Sequence, residues 1–323
     1  MRANICAYLL LLLGLALPVL SGVCPDPGRF PPTCRCDEDV EDEEVDVAIS
    51  CSGAYINELH ESLRLMDSKT RLEIRMENMD LQTLPSRIFD WWYVVRIDIT
   101  DCQLDSLAPP GEVAFSGLED KLEVLEITSS FNEKNQLTRI DLGHLRQLRE
   151  LDLAYNTITE LSNDWFDRGP TSLAAVSVSN NKIQRMGDRA FATLVNLEQL
   201  SIDGNRFGPI RRSMLPRTAD QLEILELDDN ALTSIPDNLF TGMPALTELT
   251  IRTNGITHLP ERAFKPIWSQ LEVFDVRENP LECDSTMEWL FNARTRATIL
   301  GTCQGPLGRN GVELEDFIRN RGR

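Results

Sequence analysis

Apolar residues recur along this chain in one repeating phrase. "LRELDLAYNTITEL" from Leu148 sets the template L-x-x-L-x-L-x-x-N-x-L-x-x-L. It returns as "LAAVSVSNNKIQRM", "LEQLSIDGNRFGPI", "LEILELDDNALTSI", "LTELTIRTNGITHL" and "LEVFDVRENPLEC". Weaker copies are "RLEIRMENMDLQTL" from Arg71 and "VVRIDITDCQLDSL" from Val94, and one from Leu122 is interrupted by an insertion. The asparagine slot is taken in turn by Met79, Cys102, Asn135, Asn156, Asn181, Asn205, Asn230, Asn254 and Asn279. Ten residues beyond the slot stands Phe89, Phe166, Phe191, Leu215, Phe240 or Phe264, with Leu145 in a seventh repeat. Two anchors held in phase define a repeat of about 24 residues.

Period-two alternation in each L-x-L predicts a short strand with its leucines inward, and stacked repeats give a parallel sheet. The slot asparagine turns inward, where its amide satisfies backbone groups of its turn and the neighbouring coil. Each such group left unpaired would cost about 1–3 kcal/mol. The phenylalanine packs beneath the opposite side, where burial contributes roughly 1.5–3 kcal/mol per side chain. No single repeat buries its own face, so both ends need caps. Cys102 reads as a buried, unpaired stand-in for asparagine, with a reactive or interchain thiol as the alternative. The pattern is that of leucine-rich repeats of the extracellular type. The expected fold class is α/β, mostly β: a leucine-rich repeat solenoid with a curved parallel sheet on its concave face and disulfide-stapled caps.

Residues 1–23 read as a secretory signal peptide: Arg2, an apolar stretch from Ile5 to Leu20, then Ser21 and Gly22. No second apolar run suggests a membrane anchor, so the expected product is exported, extracellular and unanchored. Export favours disulfides. Beyond the signal, the cysteines group as Cys24, Cys34, Cys36 and Cys51 at the front, Cys283 and Cys303 at the back, and Cys102 alone. The front spacing resembles the N-terminal cysteine cap of extracellular leucine-rich repeat proteins, and "NPLECDSTMEWL" with "CQGPLGRNGVEL" resembles their C-terminal cap. The resemblance implies Cys24–Cys36, Cys34–Cys51 and Cys283–Cys303. The usual C-terminal cap has two bridges; here Ser285 replaces one cysteine and no fourth follows Cys303. The resulting division is signal 1–23, N-terminal cap 24–60, about nine repeats 61–281 and C-terminal cap 282–323.

Within the family, the "CPDPGRFPPTCRC" opening, the long acidic cap and the irregular early repeats resemble arthropod secreted proteins related to the non-catalytic, leucine-rich subunit of a shrimp luciferase. That resemblance implies a secreted, non-enzymatic, protein-binding chain, of the kind that serves as a subunit or escort of a secreted enzyme. The alternative is innate-immune or matrix recognition of glycans or microbial ligands.

The net charge of -19, from 51 acids against 32 bases, argues against nucleic acid as a partner. His60, His144 and His258 lie in different repeats and form no metal pair, and no P-loop, dinucleotide fingerprint or G-x-S-x-G occurs. The acidic run "CDEDVEDEEVD" fails the EF-hand pattern, with Asp42 where glycine is required and Ala48 at position twelve. It reads as a solvated acidic tip leading into a cap strand. No catalytic residue, metal or cofactor is assigned.

The outward strand positions are the expected contact surface. They carry acids throughout, among them Asp98, Glu126, Asp152, Asp203, Glu226 and Asp228, against Arg75, Arg252 and Arg277. Small residues, including Ser177, Ser179 and Ser201, lie between, with Tyr155 beside them. Three readings stay open: plain solvation, a trough for a protein with a basic contact surface, and divalent-ion binding at Asp203, Asp228 and Asp229. The loops at 108–112 and 131–136 compete with the trough, and Trp91 with Trp92 form a candidate docking patch.

Overall fold

The computed structural model describes residues 23–132, 137, 140–163 and 165–319. The assigned signal stretch, apart from Val23, lies outside the described residues, as do Asn135 and most of the 131–136 loop. The L-x-L segments form one sheet of 12 strands. It opens with a hairpin in which Cys34–Asp37 runs antiparallel to Val47–Ser52. Every later neighbour is parallel: Arg71–Glu77, Tyr93–Thr100, Val124–Thr128, Glu150–Asp152, Ala175–Ser177, Gln199–Ser201, Ile224–Glu226, Glu248–Thr250, Val273–Asp275 and Thr298–Leu300. The repeat phase dictates this register, because Ile49, Ile74, Ile97, Leu125, Leu151 and Val176 stack as successive partners and all are buried.

A second regularity precedes each slot. Gly53, Asn78, Asp101, Ser129, Tyr155, Asn180, Gly204, Asp229, Thr253 and Glu278 all sit in the left-handed region, with φ between 46° and 63°. That kink turns the following residue inward. It also corrects the slot of the interrupted repeat: Ser129 carries the kink, so Ser130 fills the slot. Ser130 Oγ donates to the Thr128 and Ile99 carbonyls at 2.8 and 3.2 Å and accepts from the Cys102 N–H.

From Asn156 onward the slots form a polar ladder. Asn181 Nδ2 donates to the carbonyls of Leu153, Val178 and Ser179 at 2.9–3.1 Å, and its Oδ1 accepts the Ile158 N–H. Asn156, Asn205, Asn254 and Asn279 reach back to the preceding turn in the same way. Earlier slots are apolar or nearly so: Ala54, Met79 and Cys102 are all buried. The Cys102 thiol is free and makes only 3.4 Å contacts to the Met76 and Thr100 carbonyls and the Met79 N–H. Burial pushes its pKa up, which suits an inert packing group.

Beneath the sheet the aromatic spine is continuous in places, with Phe166 on Phe191 at 5.5 Å and Phe240 on Phe264 at 5.2 Å. Leu215 interrupts it. There Arg212 lies over the neighbouring turn, donating to the Thr241, Pro216 and Arg217 carbonyls without a carboxylate partner among the described residues. The disulfides are Cys24–Cys36, Cys34–Cys51 and Cys283–Cys303. At the back, Trp289 Nε1 donates to the Leu259 carbonyl and ties the cap to the last turns.

Candidate functional site

Because the strands are in register, the outward side chains fall into rows that cross the concave face. The central row runs Ser50, Arg75, Asp98, Glu126, Asp152, Ser177, Ser201, Glu226, Thr250 and Asp275. A parallel row on one side carries Ser179, Asp203, Asp228, Arg252 and Arg277, tied by bonds from Ser179 Oγ to the Asp203 carboxylate and from the Arg252 N–H to Asp228 at 2.6 Å. All the residues named from sequence as the contact face except Tyr155 therefore share one surface. Tyr155 stands out from it, 61% exposed, on its left-handed kink.

The row on the other side was not legible in the template. It runs Ala48, Glu73, Arg96, Val124, Glu150, Ala175 and Gln199. The 7- and 8-residue strands from Arg71 and Tyr93 extend the sheet by this row, and alternation in "RLEIRME" is the signal for it. It brings a charge cluster together. Glu73, only 4% exposed, accepts both Nε and Nη2 of Arg75 at 2.7 and 2.8 Å. Arg96 donates Nε to Asp98 at 3.1 Å and Nη2 to Glu126. Burial, opposed by Arg96 and reinforced by Glu126 and Glu73, pushes the Asp98 carboxyl up to about 7. Glu126 is likewise raised, chiefly by burial.

At the far end Asp275 is held by Arg277 Nε at 2.9 Å and lies 3.7 Å from Arg252, while burial raises Asp228. Many concave carboxylates thus already have arginine or hydroxyl partners; Ser201 Oγ also donates to Glu226. Between the two clusters the face dips into a depression of about 210 Å³ lined by Glu126, Glu150, Asp152, Ala175, Ser177, Gln199 and Ser201. Among the described residues Glu150 and Asp152 have no arginine partner, and Asp152 accepts only the Ala154 N–H, at 2.8 Å. Among the described residues no group of three or more His, Cys, Asp or Glu is arranged to hold a metal ion.

The tryptophan pair divides. Trp91 is 77% exposed, but Trp92 is 7% exposed and meets His60 edge-on at 5.8 Å, so Trp92 belongs to the core beside the helix Ile56–Leu63 and not to a surface patch. A repeat of this width buries one of the two because the N-terminal helix widens the core at that point. The 108–112 loop is pinned by the Ser106 hydroxyl on the Ala108 carbonyl and by Ser86 on the Glu112 carboxylate. With Phe131 it lines one side of a cavity of about 750 Å³ on the flank.

The leucine rich repeat family model matches residues 146–207 and 220–284. The non-catalytic subunit of Oplophorus-luciferin 2-monooxygenase from Oplophorus gracilirostris is 26% identical over 86% of this chain and 81% of that one. Tsukushi from Mus musculus is 26% identical over 68% of this chain and 67% of that one. Toll-like receptor 9 from Mus musculus is 30% identical, but the match spans 43% of this chain and only 13% of the receptor. Among solved structures, a TLR13–ssRNA13 complex superposes with a TM-score of 0.59 at 21% identity, covering 71% of this chain and 31% of that one. Repeat phase, slot ladder, disulfide caps and these matches agree: the chain is a leucine-rich repeat solenoid, similar to extracellular leucine-rich repeat proteins.

Proposed function

We propose that the chain is a secreted, non-enzymatic protein-binding solenoid, acting as a subunit or escort of another secreted protein through its concave face. The observation that carries this is the open middle of that face. Glu150 and Asp152 lie beside Ala175, Ser177 and Ser201, where small side chains leave room for a projecting loop or helix. The carboxylates without arginine partners favour a basic contact surface and disfavour nucleic acid. Three disulfides support an oxidising, extracellular setting, and no helix among the described residues is long and apolar enough to cross a membrane. Similarity across most of its length to a protein described as a non-catalytic subunit supports the same reading.

The test is to recover the native chain with its bound proteins and measure binding of the recovered partner to Glu150→Gln/Asp152→Asn. Affinity at about 0.15 M salt is expected to fall about tenfold in the variant, and wild-type affinity to fall as salt is raised toward about 1 M, where the screening length shrinks to about 3 Å. A partner bound equally by wild type and variant would remove the concave trough from the function. Glycan binding without a protein partner would replace it with matrix or microbial recognition.

A further inference from the structure

The two ends of the solenoid carry opposite, unsatisfied charge. At the front, the loop between the strands Cys34–Asp37 and Val47–Ser52 reads "EDVEDEEVD", pinned at its base by the Cys34–Cys51 disulfide. Some of its acids are engaged, since Glu38 accepts the Cys24 N–H and Glu44 pairs with Arg71. Asp39, Glu41 and Glu43 are exposed and their carboxylates have no partner among the described residues. Half-exposed Val40 sits in their midst.

At the back, a cleft of about 750 Å³ opens between the edge strand Thr298–Leu300 and the helix Leu314–Arg319. Its rim holds Arg294 and Arg296, both exposed and both without a carboxylate partner among the described residues, and Arg319, which is paired with Glu315. Its floor is apolar, from Ala297, Ile299 and Ile318. A basic rim over an apolar floor complements an apolar residue ringed by acids.

The two features cannot meet within one molecule. Sheet order places the acidic loop beside the first strand and the cleft beside the twelfth, about 50 Å apart along the sheet at about 4.8 Å per strand. We propose that the C-terminal cleft receives the N-terminal acidic loop of a second copy of this chain, joining solenoids head to tail. The contact is heterologous, so it extends into open chains unless a ring closes. Long-range repulsion between two chains of net charge -19 is screened within about 8 Å at physiological salt, which leaves the local complementarity of the ends to act.

Sedimentation of the disulfide-intact chain at physiological salt tests this with two surface variants, Arg294→Ala/Arg296→Ala in the cleft and Glu41→Gln/Glu43→Gln in the loop. Wild type is expected to show mass rising with concentration past a dimer. Each variant alone should associate at least about tenfold more weakly, as loss of two ion pairs at a partly desolvated contact implies. An equimolar mixture should form a dimer and stop there, because only one intact loop and one intact cleft remain. Three results would overturn the proposal: a wild type that stays monomeric, association that neither variant weakens, or a mixture that fails to dimerise. Retention of monomeric wild type on a sulfated polysaccharide, lost in the cleft variant, would likewise overturn it and assign the cleft to a polyanionic glycan.

Discussion

The slot residues show how one position can be filled by different chemistry for one geometric end. Asn181 closes four hydrogen bonds across two turns, whereas the Cys102 thiol makes only long contacts. Asn181→Ala leaves several buried backbone groups unpaired and is expected to lower the unfolding free energy by at least about 2 kcal/mol. Cys102→Ala loses a small apolar group and weak bonds and should cost about 1 kcal/mol, both read from urea denaturation. A Cys102 variant as costly as the asparagine variant would mean that the thiol is a full member of the ladder. Asp98 is the other informative residue. Its folded pKa, about 7, lies above the roughly 4 of an unfolded aspartate, so the folded state binds the extra proton between those values. The stability it contributes is present below pH 4 and lost as pH rises to about 7. Asp98→Asn should therefore gain stability relative to wild type as pH climbs through that window and change little above it. A difference that stays flat with pH would show that Asp98 ionises normally.

At the scale of elements, the strands and spine were readable because the leucine phase and the phenylalanine ten residues beyond the slot report on the same turn. What escaped was local. The insertion after Phe131 drew the slot to Asn135, although the left-handed Ser129 and buried Ser130 keep the turn regular. Adjacent tryptophans carry no periodicity of their own, so the burial of Trp92 depends on His60 from a helix more than 30 residues earlier. The Glu73–Arg96 row depended on strand length, which the 24-residue template does not report and only the alternation within "RLEIRME" signals. The caps were legible through cysteine spacing, and their energetic part is testable. Cys283→Ser/Cys303→Ser opens a bridge spanning 20 residues and should cost about 2–4 kcal/mol. Hydrogen exchange should then accelerate first in Val273–Asp275 and Thr298–Leu300, the last two strands of the main sheet. Uniform acceleration along the sheet would indicate that the cap stabilises the whole solenoid and not its end.

For the whole molecule, the acidic balance resolves into something more structured than a uniform negative shell. Arg75, Arg96, Arg252 and Arg277 neutralise the two flanks of the concave face, while Glu150 and Asp152 keep its middle negative and Arg294 with Arg296 leave a positive end. Acid and base counts alone could not show this, since pairing is set by which residues the register brings side by side.

The asparagine ladder has one more consequence. From Asn156 to Asn279 the slots recur every 24 or 25 residues, and each asparagine reaches the turn before it through the same backbone groups. Those turns share one donor pattern: duplicating or excising one leaves every slot Nδ2 with equivalent carbonyls, while Asn230 Oδ1 accepts from none of the described residues. The turns of Met79, Cys102 and Ser130 have no such exchange symmetry, for each fits only its own neighbours. Adding or removing a whole turn is therefore expected to cost least between Asn156 and Asn279, where the slot bonds repeat, and most among the turns of Met79, Cys102 and Ser130.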